Sequence, residues 1–220
     1  MKNFFTRYKH GLLLLYVFIY IPWFNYLEKT VVRRFHEIHM EIDDYIPFIE
    51  YFIVPYLLWF VYIAIAVFYF FLKNTTDYYK LCMFLFIGMT IFLIISTIYP
   101  NGHYLRPHVY ERNNIFVAMV QRLHIADTPT NLFPSVHVYN SIGVHIAISH
   151  NEHLKQNWKL QLASLLLMLS IIFSTVFLKQ HSVFDVITGG MLAAVMYPLV
   201  YGIDFQKGRR KAYEEQYHQI

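Results

Sequence analysis

Apolar residues along the 220-residue chain fall into long runs instead of alternating with polar ones. A helix needs roughly 20 mostly apolar residues to cross the hydrocarbon core of a bilayer. Six stretches meet or approach that length: 10–27, 47–72, 79–99, 134–150, 158–178 and 182–205. They predict an all-α polytopic membrane protein of six transmembrane helices. The fourth, "PSVHVYNSIGVHIAISH", is the least apolar, and Ser135, His137, Asn140 and His145 would be costly against lipid. A span there requires shielding by its neighbours. Two further segments space their apolar residues as helices do. "TVVRRFHEIHMEIDDYI", with Val31, Val32, Phe35, Ile38 and Ile42, predicts an amphipathic helix on the outer surface, and "NNIFVAMVQRLHIAD" predicts a second in the loop after the third span. Either could lie plainly on the surface or guide lipid into a site.

Composition agrees with the runs: at 57% hydrophobic and only 15% charged, the chain lies outside the usual soluble mix. The net charge of +4 sits at the ends of apolar runs, not in a patch interleaved with aromatics, which favours membrane orientation over nucleic-acid binding. With both termini placed inside, eleven Lys and Arg fall on the inner side, among them Lys2, Arg7 and Lys207, and seven on the outer side, several of those beside Glu or Asp. The positive-inside rule therefore supports cytoplasmic termini. "NYLEKTVVRRF" after the first run has no small-residue cleavage pattern, so that run reads as a retained helix. The single cysteine, Cys82, allows neither an intrachain disulfide nor a metal-thiolate site. One membrane domain over 1–220 is expected, in a bacterial inner membrane, with no protein partner inferred.

This topology brings three polar clusters to one depth on the outer side: "YLRP" at 104–107, "PSVH" at 134–137 and "STVFLKQHSVFD" at 174–185. Singly, each has a structural explanation, such as an interfacial histidine or a serine helix cap. Together they hold the groups that a phosphate ester needs. His181 and Asp185, four apart, would project from one helix face, so that the carboxylate keeps one imidazole nitrogen protonated and leaves the other as nucleophile. His137 could protonate the departing alkoxide. Arg106 offers a planar fork to phosphoryl oxygens, and the Ser135 hydroxyl with the amides near Val136 at a helix start favours the same anion. No metal-ligand constellation is visible, so neither metal nor cofactor is expected.

At these residues the chain resembles the type 2 phosphatidic acid phosphatase superfamily, whose soluble cousins include the vanadium haloperoxidases. The family pattern is a lysine, six residues, then Arg-Pro; then Pro-Ser-x-His; then Ser-Arg, five residues, His, three residues, Asp. Arg106–Pro107, Pro134–His137 and Ser174, His181, Asp185 follow it in order and spacing, over roughly 80–205. The family's lysine is Tyr99 here and its second arginine is Thr175. The resemblance implies a phosphohistidine on His181 with Asp185 as its orienting partner, His137 as acid, and Arg106, Ser135 and Ser174 binding phosphate, with Lys179 as a substitute cation. His103, Arg112 and Arg122 are weaker substitutes. The expected activity is metal-independent hydrolysis of a lipid phosphate monoester or diphosphate. "FPSVH" with "KQH" is also similar to the branch containing inositol phosphorylceramide synthases, which implies headgroup transfer as the alternative. A catalytically inactive lipid binder is the third reading.

Overall fold

The computed structural model describes residues 8–31 and 34–202. Lys2, Arg7, Val32, Arg33 and the basic cluster at 207–211 lie outside these residues. A 3-10 stretch Lys9–Tyr16 runs into α1 (Val17–Thr30), followed by β1 (His36–Glu37), the short α2 (Glu41–Tyr45), α3 (Ile53–Lys73), α4 (Thr75–Ile98) and β2 (Asn101–Gly102). Then come α5 (Ile115–Ala126), α6 (Val136–His150), α7 (Trp158–Phe177) and α8 (Val183–Tyr201). The helix starts follow local chemistry. Asn74, Asn114, Ser135, Asn157 and Ser182 each accept a backbone N–H of the first turn, so α4 through α8 all open on a polar cap.

Among the described residues, five segments are long and apolar enough to cross a membrane: Lys9–Thr30, Glu50–Lys73, Thr75–Ile98, Trp158–Phe177 and Val183–Tyr201. The fourth expected span is α6, whose 15 residues reach only about 22 Å. It sits at the centre of the bundle against α3, α4, α7 and α8, with Asn140 and Ser141 buried there instead of facing lipid. Close approach makes that possible. A Cβ on Gly88 of α4 would fall inside the Tyr139 ring, and one on Gly143 of α6 would meet the Phe84 ring at 2.5 Å. Tyr139 stacks on Phe84 at 4.6 Å and donates its hydroxyl to the Phe84 carbonyl. Outward positions such as Phe18, Phe60, Ile65, Phe68 and Leu166 stay exposed, as expected of a surface solvated by lipid.

The second span begins later than expected. Residues 46–49 are extended, and Glu50, buried, takes hydrogen bonds from Arg112 and Asn114 before α3 starts at Ile53. The amphipathic helix expected over 30–46 is not formed. His36 and Glu37 instead pair in parallel with Asn101 and Gly102, and of the described residues of that stretch past α1 only Glu41–Tyr45 is helical. Ile38 is buried while Ile42 is half exposed, so the apolar residues do not share one face. The backbone donors that a helix would use internally go to the neighbouring loop: His36 N–H to Pro100 and Ile38 N–H to Gly102. The other expected helix does form, as α5. It docks Val120 against Ile53, Tyr56 and Leu178, roofing one end of the bundle.

Candidate active site

All three polar clusters meet at that roofed end. Two devices bring them together. The first is the turn between α7 and α8. Lys179 takes a left-handed conformation (φ 55°) one residue past the helix cap, with Gln180 N–H bonded to the Thr175 carbonyl and Lys179 N–H to that of Val176. This paired pattern reverses the chain just after α7. His181 N–H adds a third bond, also to Thr175, fixing the residue before the α8 cap. The second device is Gly189, where a Cβ would stand 2.7 Å from the Ser135 carbonyl. Its absence lets α8 press against the start of α6, and Ser135 N–H donates to the Asp185 carbonyl at 3.1 Å.

His181 and Asp185 are brought together, though not as two residues on one helix face. α8 starts at Val183, so His181 precedes its cap. Asp185 turns back from the third helical position: its Oδ2 accepts Ser182 N–H at 3.0 Å and stands 3.4 Å from His181 Nδ1. The longer separation is half an ångström beyond a formed hydrogen bond, a looseness common in catalytic pairs before substrate tightens them. Asp185 Oδ1 and His181 Nδ1 have no other partner among the described residues. Burial, helped by Arg106, pushes the His181 imidazole down to about 3, so it is neutral at ordinary pH, the state a nucleophile requires. His137 lies with its ring 5.6 Å from that of His181, packed against Tyr56 and Trp59 at 4.6 and 4.3 Å, with Nε2 buried and without a partner among the described residues.

Both histidines open on a cavity of about 340 Å³, within the usual range for a ligand site. Its wall is largely aromatic, from Tyr20, Phe24, Tyr56, Trp59, Phe60 and Phe92, and α5 closes it with Leu123 and Ala126. Val136, in the first turn of α6, also lines it. So does Asp127, whose carboxyl is pushed up to about 6 by burial and by nearby Glu28.

The other expected phosphate binders are engaged elsewhere in this arrangement. Arg106 commits both donors of Nη1, to the His124 and Asp127 carbonyls, and both of Nη2, to the Thr128 carbonyl and Gln180 Oε1, leaving only Nε–H. Ser135 is fully buried, with its Oγ capping α6 through Val138 N–H. Ser174 donates its hydroxyl to the Ile171 carbonyl inside α7. Lys179, expected to curl back in place of the missing cation, donates its ammonium to the Asp43 carbonyl at 2.6 Å in this arrangement. His103 bridges Gln180 O and Leu105 N–H, Arg112 binds Glu50, and Arg122 is exposed.

Three contributors went unnoticed in the sequence. Asp43 accepts the Ser182 hydroxyl, Val183 N–H and Met40 N–H, tying α2 to the turn that carries His181. Asp127 ends α5 and reaches the cavity. Gln180 sits fully buried beside His181. Only Gln180 had a signal, its place next to the histidine, since the other two come from segments whose contacts are made by tertiary folding.

No curated protein and no solved structure matches the chain. Residues 105–209, which hold Arg106 and the whole of the second and third polar clusters, match the family model described as the PAP2 superfamily.

Proposed function

We propose that the protein is a membrane lipid phosphatase that works through a phosphohistidine on His181. The observation that carries this reading is the meeting of His181, Asp185 and His137 at one end of an aromatic cavity within a bundle of apolar helices. The lipid tail stays among the helices and its phosphate reaches the histidines. With Nδ1–H held toward Asp185, His181 Nε2 attacks phosphorus, the bond from phosphorus to the lipid oxygen breaks, and a proton from His137 leaves with the lipid alcohol. Water, giving a proton to His137, then attacks the phosphohistidine, the His181 Nε2–phosphorus bond breaks, and inorganic phosphate leaves with His181 neutral and His137 protonated again. The site would face the extracytoplasmic side. At the opposite end of the bundle lie Lys9, Lys73, Lys80, Lys155 and Lys159, the arrangement favoured for the cytoplasmic face.

One observation favours a second reading, delivery of the group to a lipid hydroxyl: the wall around both histidines is aromatic and apolar, which restricts water. The two readings are separated by incubating purified protein in detergent with a panel of lipid phosphates and diphosphates, with and without lipid alcohols. Phosphate release by the wild type and not by His181→Ala supports hydrolysis. A new phosphorylated lipid in place of free phosphate supports transfer. Equal release by both proteins would exclude His181 as nucleophile.

A further inference from the structure

The two family cations replaced here leave no cation in their places. Tyr99 is half exposed and stacks on His36 at 4.2 Å, and the Thr175 hydroxyl donates into its own helix, to the Ile172 carbonyl. A phosphoryl group at His181 would therefore meet one guanidinium, already largely committed. Beside it lies a donor that the fold leaves unused. Gln180 is fully buried, and its Oε1 accepts Arg106 Nη2 at 2.6 Å. That bond sets the orientation of the amide, because a guanidinium cannot accept from an NH₂. The end left over is Nε2, which is buried without a partner among the described residues, as is Arg106 Nε. A buried amide NH₂ without an acceptor is disfavoured, so a native protein that keeps one has a use for it.

The surroundings hold the backbone that carries this donor. Gln180 and His181 donate their backbone amides to the same Thr175 carbonyl at 2.9 and 3.0 Å, and His103 Nε2 donates to the Gln180 carbonyl at 3.0 Å. We infer that Gln180 is a phosphate-binding residue, its Nε2 donating to a phosphoryl oxygen at His181 together with Arg106 Nε, in place of a cation. The inference rests on the phosphoryl-transfer reading of this site. A neutral donor beside a single cation also suits a phosphoryl group of low charge, and the Asp127 carboxyl on the cavity wall disfavours additional negative charge.

A purely structural role for Gln180 would be to accept from Arg106. Gln180→Glu keeps and strengthens that acceptor while removing the donor, so the two roles diverge in one variant. The test is thermal unfolding of the full chain in detergent against rising inorganic phosphate, repeated with orthovanadate. Phosphate should raise the wild-type melting temperature, and Gln180→Glu should need about tenfold or more phosphate for the same rise while melting normally without it. Gln180→Met, similar in shape and lacking both polar atoms, should lose the response equally and serves if the glutamate variant does not fold. An unchanged phosphate response in either folded variant, or no wild-type response to either anion, overturns the inference. Lipid turnover that depends on His181 alongside an unchanged response would leave the function standing without this residue. A Gln180-dependent response without lipid turnover would sustain the anion site and sink the phosphatase reading.

Discussion

At the residue scale the proposed function rests on His181 and Asp185, and each also has a structural setting. Asp185 completes the cap of α8 through Ser182 N–H, so its removal costs stability as well as chemistry. Asp185→Asn keeps one oxygen for that cap and loses the charge facing Nδ1. Turnover of a lipid phosphate should fall about 10²- to 10⁴-fold with little change in melting temperature. An unchanged rate would reduce the pair to a capping device. His181→Ala should leave no measurable turnover while expression and helix content by circular dichroism stay normal. Phosphorylated protein, trapped by acid-free quenching after incubation with a ³²P-labelled lipid phosphate, should carry an alkali-stable label in the wild type and none in this variant.

Among the elements, the turn between α7 and α8 and the packing of α6 against α8 decide whether the residues meet. Gly189 allows the second contact, and Gly189→Leu should push α8 off the Ser135 carbonyl. Overpacking of this kind costs about 1–3 kcal/mol. Activity should fall much more than stability, because the displacement opens the distance from His137 to His181, and a variant with full activity would show that the contact does not position the site. Asp43 holds the turn from the other half of the chain. Asp43→Ala leaves the Ser182 hydroxyl and Val183 N–H without their acceptor, at about 1–3 kcal/mol for each buried donor. A lowered melting temperature with a reduced kcat is expected, and Asp43→Asn, which keeps one acceptor oxygen, should recover part of both.

At the scale of the whole molecule, the roofed end holds neutral histidines. Burial pushes His103 and His124 down to about 4 and His181 to about 3. Unfolding lets each take up a proton near its ordinary value of 6.5, so in this window the unfolded chain binds more protons and stability falls as pH drops from about 6.5 toward 4. Asp127, raised to about 6, opposes this over the lower part of the same window. Melting in detergent should therefore occur at lower temperature at pH 4.5 than at pH 7.5, and the reverse order would mean that these imidazoles are not buried neutral. Much of the molecule was legible from one dimension: five apolar runs long enough to span, Ser135 as a cap, the spacing from Ser174 to Asp185, and α5. Hydrophobic length, capping chemistry and local spacing are properties of contiguous residues, so the sequence by itself determined the membrane class, most helix limits and the three polar clusters that the fold brings together. The tertiary structure alone decided the rest, for a common reason. Each such feature depends on which distant group takes a donor or acceptor: loop carbonyls and Gln180 for Arg106, Asp43 for Lys179, residues 100–102 for the 36–38 segment in place of a helix. It also decided that α6, too short and polar to face lipid, lies at the centre, because only surrounding helices can shelter its polar side chains.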